Sequence, residues 1–384
     1  MTRKLSALLL LGMIIALMVS GGLGAAGYPF YGGTYSDYGI EWQVKSGGGM
    51  STNEQVERFY NVSRIKSLSL RELDWRETGR EIIDETLVIY GDFTAGMFEG
   101  YTKDSVLIEA PLKMFAIIVI PMGDLKDGGL ILAKHTEENV WLKWGSQKEQ
   151  LINMSKAARI PLMLYGEKRE SIDAFGCSRG ELIHIGLYAL MFLNRGYTDV
   201  VTGNFALALA RAQSYAITLL QNVVEKEVGV RVDKVAFMGG SKEGYAQWLA
   251  STMDDRILIS SPGGFKEEDF VGAIEESVSQ WGCHNPYLGE YEEKDMQKML
   301  AFKEFLRERP DVLNALGIKQ RVEAGLGKPS LYFVFGDTGH YGGHDGQHFP
   351  LGKAETTFLE RAPINWVYSI VCLLYTSDAA DDGE

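Results

Sequence analysis

The chain has 384 residues, 46% of them hydrophobic, and a formal net charge of −13. That length and apolar share suit one α/β domain with insertions and a full core. The acidic balance excludes a nucleic-acid binder, which needs clustered Lys and Arg, and excludes a basic patch for a membrane surface.

The first element is a targeting signal. Thr2-Arg3-Lys4 precede an apolar run from Leu5 to Val19, and Gly24-Ala25-Ala26 supply small residues for cleavage. A signal peptide over residues 1–26 is expected, with an uncleaved membrane anchor as the other reading. Either places the folded part outside the cytoplasm, secreted or periplasmic. No Cys ends the apolar run, which excludes a lipoprotein.

Further on, short apolar runs alternate with helical patterns. Residues 104–110 and 114–120 read as paired strands, the second ended by Pro121. Gly128-Gly129 introduce a buried strand over 130–133, and a helix over 148–158 leads into a strand over 161–165. Residues 204–227 are apolar at helical spacing, with no Gly or Pro before Gly229. The strand over 234–238 ends in Gly239-Gly240-Ser241-Lys242-Glu243-Gly244, and helix returns over 245–253. Residues 256–260 form another strand, and 265–326 are mostly helical and charged. Strands resume over 330–335 and 365–371. This order predicts an α/β fold: a mostly parallel sheet with helices on both faces. The 265–326 insertion would cap its C-terminal edge.

The run from Cys372 to Asp381 looks like the translation of a transposon-type sequencing adapter. The expectation is a natural domain over 27–371, truncated there, with 372–384 foreign; a genuine acidic tail is the other reading. Cys177 and Cys283 either pair outside the cytoplasm or stay as separate buried thiols.

The strongest chemical signal is Ser241. A strand runs into a Ser flanked by glycines and a helix starts at once, which is the layout of a nucleophile elbow. Such a turn lifts the hydroxyl above the sheet edge and aims a helix N-terminus at the developing oxyanion, where the Lys242 backbone N–H can donate. Glu243 stands where G-x-S-x-G has its second Gly, and Gly244 comes one position later. A glycine-rich phosphate loop fits less well, lacking G-x-G-x-x-G and G-K-[ST].

Gly240-Ser241-Lys242-Glu243-Gly244 with Trp248, after a long Ala-rich helix, resembles the PhoPQ-activated pathogenicity-related family, which shows G-x-S-K-R-G-W-x-x-W here. Asp254-Asp255-Arg256 and the apolar strand after them continue the match, which is good over 203–262. Glu243 stands for the family's Arg and Tyr245 for its Trp, so a broader serine-hydrolase grouping is the safer one. The resemblance implies an exported α/β-hydrolase.

In that fold the acid follows the nucleophile and the His comes last. Asp345, in Gly343-His344-Asp345, is preferred as the acid; Asp337, directly after its strand, is the alternative. His340, His344 and His348 recur every four residues, but their Gly-rich surroundings make a loop, and no metal is assigned. The base is expected after the strand over 365–371, so the triad His would be absent from this chain, leaving it nearly inactive. His135 follows the strand over 130–133, where many esterases carry the His-Gly of the oxyanion loop, with Thr136 in place of the Gly. The expected reaction is acyl transfer from a small-molecule or polymeric ester to water, with no cofactor. A peptidase of the same fold, or a binding protein that keeps the fold without catalysis, are the alternatives.

Overall fold

The computed structural model describes residues 52–101, 107–170, 205–240, 242–263, 318–337 and 365–371. The expected signal peptide, Cys177, Cys283, most of the 265–326 insertion and residues 372–384 lie outside the described residues.

One nine-stranded sheet organises the described chain, in the order β1-β2-β3-β5-β4-β6-β7-β8-β9. Its first part is antiparallel. β1 (Arg76–Ile83) and β2 (Thr86–Tyr101) form a hairpin. Asp84 and Glu85 turn it at φ 44 and 60, the left-handed pair that matches strand twist in a two-residue loop. β2 pairs with β3 (Leu107–Pro121), and β3 with β5 (Leu162–Glu167), both antiparallel.

The two short strands expected over 104–120 are therefore one. β3 runs through Pro111, and its partners are β2 and β5. The proline is accommodated where the β2–β3 register shifts, between Thr94 and Met97. Gly96 sits in that bulge at φ +84, and a Cβ there would meet Tyr215 Oη and the Arg211 guanidinium at 3.1–3.2 Å.

From β5 onward every neighbour pair is parallel: β5 with β4 (Gly129–Thr136), β4 with β6 (Val235–Gly240), then β7 (Ile257–Gly263), β8 (Leu331–Asp337) and β9 (Trp366–Val371). The sheet is mostly parallel and carries helices on both faces. After the short α1 (Thr52–Tyr60) and α2 (Val62–Lys66), α3 (Glu137–Ala158) covers one face. Its Val140, Trp144 and Leu151 pack on Val119, Leu130, Leu132 and Leu164. α4 (Phe205–Val228) and α5 (Lys242–Met253) cover the other, burying Leu207, Ile217, Leu220 and Leu249 against Ile118, Ile131, Met163 and Phe237. α3 is longer than the helix expected over 148–158, because Thr136 caps it at the strand end, accepting from Asn139 N–H at 3.3 Å. α6 (Ile318–Glu323), within the expected insertion, joins the main core through Ile318 and Val322.

Candidate active site

The strand order places the site. β4 connects through α3 to β5 on one side of it, and β5 connects through α4 back across to β6 on the other side. Because α3 and α4 lie on opposite faces, the winding reverses at the C-terminal ends of β4 and β6. In open α/β sheets this reversal of winding is where ligands bind.

Two sequence features meet that edge. β6 ends at Gly240 and α5 begins at Lys242, so one residue, Ser241, separates strand from helix. Ser241 itself lies outside the described residues. On the neighbouring strand, His135 is half-buried, in the segment where the β4–β5 register shifts between Ala133 and Thr136. The last β4–β6 partners are Leu132 and Met238; His135 and Ser241 each come three residues later along the chain. The oxyanion loop expected at His135 is no loop: β4 passes directly into α3, and Thr136 serves as the helix cap. The start of α3 and the start of α5 thus both lie at this edge, each with backbone N–H groups that have no partner within the helix.

The elbow packs as tightly as its glycine implies. A Cβ on Gly239 would stand 3.0 Å from the backbone and Cβ of Glu243, so any side chain there would push strand and helix apart. Glu243 is fully buried. From α4, Gln213 Nε2 donates to the Glu243 backbone oxygen at 3.0 Å and to its carboxylate at 3.2 Å. The carboxylate thus turns inward, toward α4, and fastens the first turn of α5. Next to it, the Tyr165 hydroxyl on β5 is buried without a hydrogen-bond partner among the described residues. Burial pushes its pKa well up, and the charges of Glu243, Tyr60 and Glu167 push the same way. One turn along α5, Gln247 Nε2 donates to Phe237 O at 2.6 Å and Ser260 Oγ at 3.0 Å, tying the helix to β6 and β7.

The far end of α5 is held differently. Trp248 stacks on Tyr332 of β8 with ring centroids 5.1 Å apart. Asp254 is fully buried and takes Arg256 through two bonds, at 3.0 and 2.7 Å, and the Ser214 hydroxyl at 2.6 Å. Burial alone would raise the Asp254 pKa, but the bonds and charge of Arg256, with Ser214, outweigh it and lower the value. The Asp254-Asp255-Arg256 segment that extended the family match is thus a structural clamp between α5, α4 and β7.

Of the other expected site residues, Asp345 lies outside the described residues. So do His340, His344 and His348. Asp337 is the last residue of β8, at the same C-terminal edge of the sheet. Lys242 opens α5. Among the described residues no cluster of three or more His, Cys, Asp or Glu could hold a metal, and no helix is long and apolar enough to cross a membrane.

The architecture is that of the α/β-hydrolase fold, and superposition on one solved esterase agrees. The acetyl xylan esterase 1 from a Thermoanaerobacterium species superposes with a TM-score of 0.51 at 12% identity, over 88% of this chain and 94% of that one. An acetyl xylan esterase from a Paenibacillus species gives 0.42 at 12% identity, over 90% and 96%. An S-formylglutathione hydrolase from Agrobacterium tumefaciens gives 0.41 at 11%, over 78% and 91%. Within this fold, residues 192–315 match the family model of the PhoPQ-activated pathogenicity-related protein, so the resemblance seen at the elbow and along the following strand holds. No curated protein sequence matches the chain.

Proposed function

We propose that the protein is an exported serine hydrolase that cleaves carboxylic esters through an acyl-enzyme on Ser241. The observation that carries this reading is the one-residue turn between β6 and α5 at the winding reversal of the sheet, with Gly239 pressed on Glu243 beneath it. A Ser in such a turn projects from the C-terminal edge, where the N-terminus of α5 favours the negative charge of a tetrahedral intermediate.

In this mechanism the Ser241 hydroxyl attacks the ester carbonyl while a histidine takes its proton. The backbone N–H of Lys242 holds the oxyanion. The histidine then protonates the leaving alcohol, and water, activated by the same base, releases the acid. Asp345 orients the histidine, with Asp337 as the second candidate for that role. The chemistry needs no cofactor. The similarity of fold to proteins described as acetyl xylan esterases supports an ester rather than a peptide as substrate.

Hydrolysis of short acyl esters by the full-length gene product, wild type against Ser241→Ala, tests the reading. The variant should keep only the residual catalysis of triad-deleted enzymes, roughly 10³–10⁴-fold over water. Equal rates in the two proteins would exclude Ser241 as the nucleophile.

A further inference from the structure

Two lysines lie in the layer between β4 and α3, and the hydrolase mechanism uses neither side chain. Leu130 and Leu132 of β4 pack against Val140 and Trp144 of α3. Lys134 continues that alternation at the end of the strand and is half-buried. Lys143 stands between Val140 and Trp144 in the helix, on its inward face, with only 8% of its surface exposed. Such positions ordinarily hold apolar groups, and a buried ammonium group persists only when an anion or a set of acceptors compensates it.

Here the compensation is missing. Among the described residues neither ammonium group has a hydrogen bond or an ion pair. Three carboxylates on the elements around them serve other cations: Glu137 faces Lys168 at 3.8 Å, Asp92 takes Lys168 at 2.9 Å, and Glu81 holds Lys148 at 2.8 Å. The two lysines are also close enough for one charge to act on the other. Burial pushes Lys134 down to about 8; burial first, and then the charge of Lys134, push Lys143 down to about 7.

We propose that Lys134 and Lys143 form an anion-binding site at the β4–α3 junction, which takes a carboxylate or phosphate group. One anion would compensate two cations at once, in a layer where water is largely excluded and a charge pair is correspondingly strong. The site does not depend on the role of Ser241. It lies at the end of β4, the strand beside β6, so an acidic substituent of a molecule bound at the winding reversal could reach it.

The test is thermal unfolding at pH 6.5 with inorganic phosphate added at constant ionic strength. Four proteins are compared: wild type, Lys134→Met, Lys143→Met, and Lys126→Met as a control at an exposed position. Near-saturating phosphate should raise the midpoint of the wild type and the control by about 3 °C. In the two site variants the rise should fall below about 1 °C. In phosphate-free buffer Lys143→Met should melt above the wild type, since the variant buries no unpaired charge. Acetate at the same ionic strength separates the two sources: a rise with acetate marks a carboxylate group, and a rise with phosphate alone a phosphate. Three results overturn the assignment: no rise in the wild type with either anion, equal rises in all four proteins, or a Lys143→Met protein less stable than the wild type without phosphate.

Discussion

The two ends of α5 bury polar groups in opposite ways. At its C-terminal end, Asp254, Arg256, Ser214 and Thr218 form a closed network. Arg256 donates to Asp254, to Thr218 Oγ1 and Gln221 Oε1 at 2.8 Å, and to Ser214 O at 3.1 Å. At its N-terminal end, beneath the elbow, the Tyr165 hydroxyl and the Gln213 side-chain oxygen are buried with no hydrogen-bond partner among the described residues. Satisfied buried networks specify and rigidify a fold, whereas orphaned polar groups cost stability and are rare in native cores. The contrast assigns the two ends different tasks: one anchors the helix to the sheet, and the other tolerates a cost beneath the turn of the proposed nucleophile.

The comparison is broken most forcefully at the clamp. Asp254→Ala leaves Arg256 buried without its counter-charge and should destabilise the protein by about 3–5 kcal/mol in urea unfolding. The same pair predicts acid sensitivity. Asp254 has a lowered pKa in the fold, so its contribution is present above the ordinary carboxylate value, near 4, and is lost as pH falls through the lowered one. Stability should therefore decline below about pH 4 in the wild type, and that part of the decline should vanish in Asp254→Asn. A pH series of urea midpoints on both proteins checks it.

The elbow should respond less in stability and more in function. Gly239→Val drives a side chain into the Glu243 backbone and should cost about 1–3 kcal/mol, as overpacking does. Because it separates β6 from α5, it should also remove most of the proposed ester hydrolysis. A Gly239→Val protein with wild-type activity would contradict the packing described here. Smallest is the effect of Tyr165→Phe. Deleting a hydroxyl that has no partner should leave stability within about 1 kcal/mol of wild type, on the stabilising side. A larger loss would mean that the hydroxyl has a partner, and the contrast between the two ends of α5 would narrow.

Much of this was legible in the sequence, and the parts that were not have physical causes. The parallel half from β4 to β9 showed itself because buried strands read as apolar runs between helical patterns. The hairpin of β1 and β2 did not. β1 is charged and largely exposed, as edge strands are, and its turn uses Asp84 and Glu85 rather than the glycine that usually flags a two-residue hairpin. Pro111 disguised one long strand as two, and a kink at Gln147, with φ −133 and ψ 17, hid the first turns of α3. At the site, Ser241 stood out through its glycines. The inward pairing of Glu243 with Gln213 did not, because the partners are 30 residues apart and no local pattern links them. The winding reversal between β4 and β6 was likewise invisible, since strand order is set by long-range pairing.

The central claim is that residue 241 occupies an accessible turn at the start of α5. Ser241→Cys tests it most directly, because a thiol at a helix N-terminus is acidified and accessible without help from any other catalytic group. Alkylation of the folded variant at pH 7, followed by peptide mapping to separate this site from Cys177, Cys283 and Cys372, gives the readout. The account predicts rapid labelling at position 241, with a pH midpoint below the ordinary thiol value of about 8.5. A thiol at that position labelled only after denaturation would contradict it.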